Sequence, residues 1–142
     1  MTLTLAVVTT STRPGRKGPL IADWFVTFAR EDATFEVAAV DLAEIDLPLF
    51  DEPEHPAKGL YTKEHTKRWS AHVKAADAIV FVMPEYNYLP PASFINAVDY
   101  LHREWHYKPV GFVSYAGMSG GSRAVQAAKP LVTTVKAMPS TP

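Results

Sequence analysis

The segment Ala78-Ile79-Val80-Phe81-Val82-Met83, followed at once by Pro84, decides how the rest of the sequence is interpreted. Such a short run with no polar residue is typical of a strand that is buried on both faces. Leu3–Val8 is a second run of this kind, and Phe35–Val40 and Val110–Tyr115 are further predicted strands. Strands buried on both faces predict a parallel sheet that is covered by helices on each side.

Predicted helices separate these strands and alternate with them along the chain. The first begins at Gly18-Pro19, and its apolar residues at helical spacing are expected to form one buried face: Leu20, Ile21, Trp24, Phe25 and Phe28. A second helix is predicted over Tyr61–Ala75, a third follows Pro90-Pro91, and a fourth begins at Ser122. The alternation predicts a doubly wound α/β fold, in which ligands bind at the carboxyl ends of the strands.

The end of the chain fits two interpretations. Leu131–Val135 is β-branched and could form a fifth strand, but the crossover helix before it would then be short. We prefer one helix from about Ser122 to Ala137, bent at Pro130, with the chain stopping where a fifth strand would begin.

Composition narrows the classes of function. A chain of 142 residues suits a single domain spanning 1–142. It contains no cysteine, which excludes disulfides, thiol catalysis and thiolate metal sites. The net charge of −1 predicts no attraction to nucleic acid or to an anionic membrane. No apolar run approaches the roughly 20 residues of a membrane span, and Met1–Val8 lacks the features of a signal peptide, so we expect a cytoplasmic protein.

The loop after the first predicted strand suits a phosphate group. Thr10–Gly18 carries three hydroxyl groups and three cations, and the start of the following helix adds unpaired N–H groups. It matches neither the Walker loop nor the glycine pattern of dinucleotide-binding folds. The alternative is a solvated basic turn.

The loop after the third predicted strand, Pro84-Glu85-Tyr86-Asn87-Tyr88, could hold a flat heterocycle by stacking and amide hydrogen bonds. The alternative is an asparagine turn with two surface tyrosines. Gly117–Gly121 resembles a hydrolase nucleophile elbow, but no Asp, Glu or His follows Ser119, so the triad of that fold is impossible within this chain. His102 and His106 are four residues apart, which is a weak metal signal, and we interpret them as surface or core histidines.

Four motifs, in order along the chain, resemble the NADPH-dependent FMN reductase family. They are Ser11-Thr12-Arg13-Pro14-Gly15-Arg16, Pro84-Glu85-Tyr86-Asn87, Asn96-Ala97-Val98-Asp99-Tyr100-Leu101 and Gly120-Gly121-Ser122-Arg123-Ala124. The resemblance extends from Leu3 to about Ala137. It implies a flavodoxin-like fold, and family members usually continue for a further strand and helix that this chain apparently lacks.

The resemblance also implies a site. The FMN phosphate would be held by Ser11, Arg13, Arg16, Gly18, Pro19 and Leu20. The isoalloxazine ring would be lined by Pro84, Glu85, Tyr86 and Asn87 and bordered on its other edge by Tyr115, Ala116, Gly117 and Gly120. The chemistry of this family resides in the cofactor, so no catalytic side chain is assigned.

The implied activity is hydride transfer from NADPH or NADH through FMN to a small electron acceptor, such as a quinone, free flavin, azo compound or metal oxyanion. A homodimer or homotetramer is expected on the same ground. Two alternatives stay open: a non-catalytic FMN-binding electron carrier, and a truncated family member that no longer holds FMN.

Overall fold

The computed structural model describes residues 1–140, which form a five-stranded parallel sheet with helices on both faces. The strands are β1 (Leu3–Thr9), β2 (Phe35–Asp41), β3 (Ala78–Pro84), β4 (Pro109–Tyr115) and β5 (Met138–Pro139). The helices are α1 (Gly18–Glu31), α2 (Leu42–Ile45), α3 (Glu64–Ala75), α4 (Ala92–Asp99) and α5 (Ser122–Thr134). Short 3₁₀ turns occupy Pro56–Lys58 and Arg103–Trp105.

The strand order β2-β1-β3-β4-β5 confirms the doubly wound, flavodoxin-like arrangement expected from the sequence. β1 lies between β2 and β3, with Val7 paired to both Ala39 and Val80. The order reverses at β1, because β2 lies on one side of it and all later strands lie on the other. The carboxyl ends of β1, β3 and β4 therefore lie side by side, where ligands of this fold class bind.

The larger core lies between the sheet and helices α3, α4 and α5. Trp69 and Trp105 are almost fully buried and meet edge to face, with ring centroids 5.9 Å apart. Each indole N–H donates to a backbone carbonyl, Trp69 to Ala97 at 2.8 Å and Trp105 to Val98 at 3.2 Å. These hydrogen bonds allow two large polar-tipped rings to stay in an apolar core.

The expectation for the buried face of α1 was wrong. Its buried residues include Ala22, Val26 and Ala29, whereas Trp24 and Phe28 remain 63% and 59% exposed and Leu20 is exposed as well. Ile21 and Phe25 are half-buried at the edge of this core. Small side chains let the helix axis approach the sheet closely, so the aromatic stripe is rotated outward.

The end of the chain differs from the preferred interpretation. α5 contains Pro130 as expected, but it ends at Thr134 rather than Ala137. Met138 and Pro139 then form a short fifth strand, which pairs with Pro109 and Val110 of β4. The expectation that the last strand is lacking was therefore wrong, because β5 is present at Met138–Pro139. Within residues 1–140, no helix has both the length and the apolar character that a membrane span requires.

The two environments of tryptophan give a direct test of this packing. Trp69→Ala is expected to lower the free energy of unfolding by about 3–5 kcal/mol, because it leaves a cavity in the core. Trp24→Ala, on the exposed side of α1, is expected to change it by about 0.5 kcal/mol. Urea unfolding of the two variants beside the parent chain measures both values; equal losses would contradict the assigned orientation of α1.

Candidate active site

The loops after β1, β3 and β4 meet at one edge of the sheet. Backbone hydrogen bonds join them: the Thr10 N–H donates to the Val82 carbonyl at 3.1 Å, and the Glu85 N–H donates to the Tyr115 carbonyl at 3.2 Å. All three segments singled out from the sequence therefore lie around one place, as the order of the strands requires.

Gly18 forms the floor of a small polar cradle between the first loop and the end of β4. A Cβ atom at this position would lie 2.2 Å from Ser11 Oγ and 3.1 Å from the Tyr115 hydroxyl, so only glycine lets α1 begin this close to the two hydroxyl groups. Both hydroxyl groups are buried, and neither has a hydrogen-bond partner within residues 1–140. Burial raises the pKa of Tyr115, against a smaller opposing influence of the neighbouring Ser11 hydroxyl. Unpaired buried donors of this kind require a ligand or water.

The start of α1 adds further donors to the cradle. N–H groups in the first turn of a helix have no partner within the helix and carry partial positive charge. Pro19 sits in this turn, where its missing N–H is not needed. The side chain of Leu20, the next residue, is 75% exposed.

Arg16 is held by an acid from the neighbouring strand. Its guanidinium group makes two hydrogen bonds of 2.7 Å to the Asp41 carboxylate and one of 2.6 Å to the Ser11 carbonyl. The hydrogen bond to Asp41 is the main reason that the pKa of Arg16 is raised. Asp41 also accepts the Ala43 N–H at 3.0 Å and so caps α2. Arg16 thereby fixes the shape of the loop around Ser11.

Arg13 differs from Arg16 in that it has no carboxylate partner within residues 1–140. Its side chain is exposed, and its only hydrogen bond in this part of the chain runs from Nη1 to the adjacent Pro14 carbonyl at 3.1 Å. Arg13, like the exposed Lys17, is therefore a cation of the first loop that can turn toward an incoming anion.

The loop after β3 carries backbone strain. Asn87 and Tyr88 have φ angles of +51° and +71°, and the Tyr86 N–H and Leu89 N–H donate to each other's carbonyl groups at 2.9 and 3.0 Å. This is the two-residue hairpin turn that asparagine favours, whereas tyrosine rarely adopts positive φ. The Arg123 guanidinium lies 4.0 Å from the centre of the Tyr88 ring, and this cation–π contact stabilises the turn.

Glu85 ties the loop after β3 to the start of α5. Its carboxylate accepts hydrogen bonds from Ser119 Oγ at 2.6 Å and from the N–H groups of Arg123 and Ala124 at 3.2 and 3.3 Å. The Arg123 guanidinium lies 3.7 Å away. The hydrogen bond from Ser119 lowers the pKa of Glu85, and the N–H groups and Arg123 add to the effect against the opposing influence of burial. Ser119 is therefore a structural hydroxyl, consistent with the rejection of a hydrolase triad.

Gly121 is required where the loop after β4 turns into α5. Its φ angle is +86°, and a Cβ atom there would lie 2.6 Å from Ser114 Cβ and 2.8 Å from the Tyr115 backbone nitrogen. The absence of a side chain lets the loop return close to β4 and brings the start of α5 to Glu85.

The structure brings most of the sequence-predicted residues to this edge with different degrees of exposure. Ser11, Gly18 and Pro84 are buried, whereas Tyr86, Asn87, Gly117 and Gly120 are exposed and Ala116 is half-buried. Sequence reasoning gave no role to three residues that connect these loops: Asp41, Ser119 and Arg123. Asp41 had one detectable signal, since it ends the strand next to β1.

No metal centre accompanies the site. Within residues 1–140, no group of three or more His, Asp or Glu side chains is placed to hold a metal ion. His102 and His106 flank the 3₁₀ turn Arg103–Trp105 at the other end of the sheet.

Comparison with known proteins agrees with the geometry. The family model for NADPH-dependent FMN reductases matches residues 3–142. The chain belongs to this family. It is 41% identical over 124 residues to an NAD(P)H-dependent FMN reductase of Schizosaccharomyces pombe, covering 86% of this chain and 62% of that protein. An NAD(P)H-dependent FMN reductase of a Nectria species is 39% identical over 126 residues, covering 84% and 62% of the two chains.

A solved structure supports the fold of this FMN reductase family member. The flavoenzyme NAD(P)H:(acceptor) oxidoreductase of Paracoccus denitrificans superposes with a TM-score of 0.80 at 21% identity, covering 98% of this chain and 75% of that one. The chain spans about 62% of the length of the curated relatives named above. The family's name gives FMN and NADPH as its flavin and reductant.

The hydrogen bonds that the Glu85 carboxylate accepts predict a contribution to the stability of the fold that is lost at acid pH. Because the folded-state pKa of Glu85 lies below its ordinary value, the carboxylate stabilises the fold above about pH 4.3 and loses that contribution as the pH falls through the folded-state value. Glu85→Gln is expected to lower stability at neutral pH and to flatten the decline between pH 5 and 3, roughly the range in which a carboxyl group titrates. Urea unfolding at several pH values measures this, with Glu54→Gln on the exposed 46–59 loop as the control; identical pH profiles for Glu85→Gln and the parent would contradict it.

Proposed function

We propose that this chain binds FMN at the edge formed by the loops after β1, β3 and β4, and that it acts as an NAD(P)H-dependent oxidoreductase. The observation that carries the proposal is the cradle around Gly18, where two buried hydroxyl groups without partners face the open start of α1. This donor set fits the phosphate of FMN, which is an anion with several acceptor oxygens.

The first loop would bind the phosphate through three kinds of donor. Ser11 and Tyr115 would each donate a hydroxyl hydrogen bond, and the first turn of α1 would donate backbone N–H groups. Arg13 would add a charge-assisted contact, because it has no competing carboxylate in the described chain. Arg16 would act indirectly, because its hydrogen bonds to Asp41 hold the loop after β1 in place.

The loops after β3 and β4 would receive the isoalloxazine ring. Glu85 is engaged with Ser119 and the start of α5, so it would orient the Tyr86–Asn87 turn and not exchange protons with a substrate. Ala116, Gly117 and Gly120 offer backbone groups at the opposite side with little side-chain bulk. When bound, FMN supplies the chemistry of hydride acceptance from NAD(P)H and reduction of an acceptor, and the chain supplies binding and orientation.

The acceptor, the assembly and the compartment follow from the family resemblance. A quinone, free flavin, azo compound or metal oxyanion is the proposed acceptor class. A homodimer or homotetramer is supported by apolar side chains exposed beside the site, among them Tyr88 at 63% and Leu89 at 53%. A cytoplasmic location is supported by the absence of cysteine, which suits a reducing compartment.

The activity is tested by adding FMN to the purified chain, recording the visible spectrum, and following NADPH oxidation with and without a quinone. Flavin binding with quinone-dependent NADPH consumption is the expected result. Flavin binding without turnover would identify an electron carrier instead, and no flavin binding would overturn the assignment of the site.

Arg13→Ala is expected to weaken FMN binding by about 1.5–3 kcal/mol, because it removes a charge-assisted contact to the phosphate. Quenching of flavin fluorescence in a titration measures the dissociation constant. Arg30→Ala, which removes an exposed cation in the last turn of α1, is the control for overall charge and should bind FMN as the parent does. An unchanged affinity in Arg13→Ala would remove Arg13 from the phosphate site.

Gly18→Ala is expected to lower FMN affinity by about tenfold or more, because the new Cβ atom would displace the Ser11 hydroxyl and occupy the cradle. Gly111→Ala in β4 is a suitable control, since its backbone is not left-handed and its Cβ atom would meet only the Val80 side chain, at 3.4 Å. Full affinity in a folded Gly18→Ala variant would show that the phosphate binds elsewhere.

A further inference from the structure

A second polar cavity lies at the opposite end of the sheet from the candidate flavin site. Its volume is about 360 Å³, and four cationic side chains line it beside one acidic one: Lys58, Lys74, Arg103 and Lys108, with Glu104. Gly59, Tyr61 and His106 complete the lining. Lys108 precedes β4 and Lys74 lies in the last turn of α3, which leads into β3. The cavity is therefore at the amino ends of strands whose carboxyl ends carry the flavin loops, so one small ligand cannot occupy both.

The single acidic side chain of this cavity is already engaged. The Glu104 side chain is only 3% exposed and accepts hydrogen bonds from the Tyr61 hydroxyl at 3.0 Å and Ser70 Oγ at 2.7 Å. The His102 N–H adds a third at 3.3 Å, and Lys74 Nζ lies 4.0 Å away. The charges of Glu104 and Lys74 thus offset each other. No other acidic side chain of the lining is available to pair with the remaining cations.

Arg103 and Lys108 are the cations left over. Within residues 1–140, Arg103 has no carboxylate within 4 Å. Lys108 Nζ donates to the Ala76 carbonyl at the end of α3, and burial lowers the pKa of this lysine. Lys58 contributes less, because it is paired with Glu54. The cavity therefore has more positive than negative charge on its walls.

His106 adds an unpaired polar group. Its Nε2 atom is buried and has no hydrogen-bond partner within residues 1–140. Burial lowers the pKa of His106, and nearby Lys136, His102 and Arg103 lower it further, with only Glu104 acting in the opposite direction. An anion would stabilise a ring nitrogen in such surroundings, because it accepts a hydrogen bond from the ring N–H and offsets the local positive charge.

We propose that this cavity is a binding site for a phosphate group, either free or as part of a small phosphomonoester, with Arg103, Lys108 and His106 as its ligands. A guanidinium fork, an ammonium group and an imidazole N–H are donors of different shape, and a phosphate has enough oxygens to accept from each of them. The volume of the cavity leaves room for an organic part beside the phosphate. This proposal does not rest on flavin binding at the other end of the sheet.

The test is a titration of the FMN-saturated protein with inorganic phosphate, with the ring signals of His106 followed by NMR. A saturable shift of the His106 signals is expected, together with a rise in the His106 pKa, because the bound dianion favours the protonated ring. The same ionic strength made up with chloride should give no saturable shift. Because the His106 signals report locally, the result is readable whether or not the chain holds FMN.

Arg103→Gln is expected to lower the phosphate affinity by about tenfold or more, through loss of a charge-assisted contact. Lys67→Gln removes an exposed cation that pairs with Glu64 on the same helix as Lys74, and it should leave the affinity unchanged. Glycerol phosphate serves as a second probe: tighter binding than inorganic phosphate identifies a phosphomonoester site, and weaker binding identifies a site for free phosphate. No saturable shift with either probe, or equal affinity in Arg103→Gln and the parent, would overturn the proposal.

Discussion

The missing side chain at position 18 is the constraint on which the candidate flavin site depends. The first turn of α1 approaches Ser11 and Tyr115 so closely that any Cβ atom at Gly18 would collide with the Ser11 hydroxyl. The resulting space holds buried donors that the described chain leaves unpaired. Leaving buried polar groups unpaired costs about 1–3 kcal/mol each. Under the proposed function, a phosphate bound there would accept hydrogen bonds from these donors and offset part of that cost.

Two carboxylates hold the loops around Gly18 in position. Asp41 holds Arg16 and caps α2, so the loop after β1 is fixed to the end of β2. Glu85 receives Ser119 and the first N–H groups of α5, so the loop after β3 is fixed to the loop after β4. Both acids connect segments that follow different strands. The shape of the site thus depends on contacts between loops that follow different strands.

Most of the fold was predictable because strands such as Ala78–Pro84 are short, apolar and ended by residues that stop them. The buried face of α1 was not predictable from large apolar residues alone, because the small residues Ala22 and Ala29 set the distance to the sheet and expose Trp24. The candidate phosphate loop was predicted from its hydroxyl groups, its cations and the following helix start, and this assignment stays a prediction. The partner of Arg16 was not, since that ion pair depends on which strands become neighbours.

We propose that the phosphate of the flavin binds at the cradle around Gly18. The most direct measurement compares the affinities of this chain for FMN and for riboflavin, which has the same ring system and no phosphate. If the phosphate supplies charge-assisted contacts, FMN should bind more tightly by about a hundredfold or more, since each such contact contributes roughly 1.5–3 kcal/mol. Equal affinities for the two flavins would contradict the account.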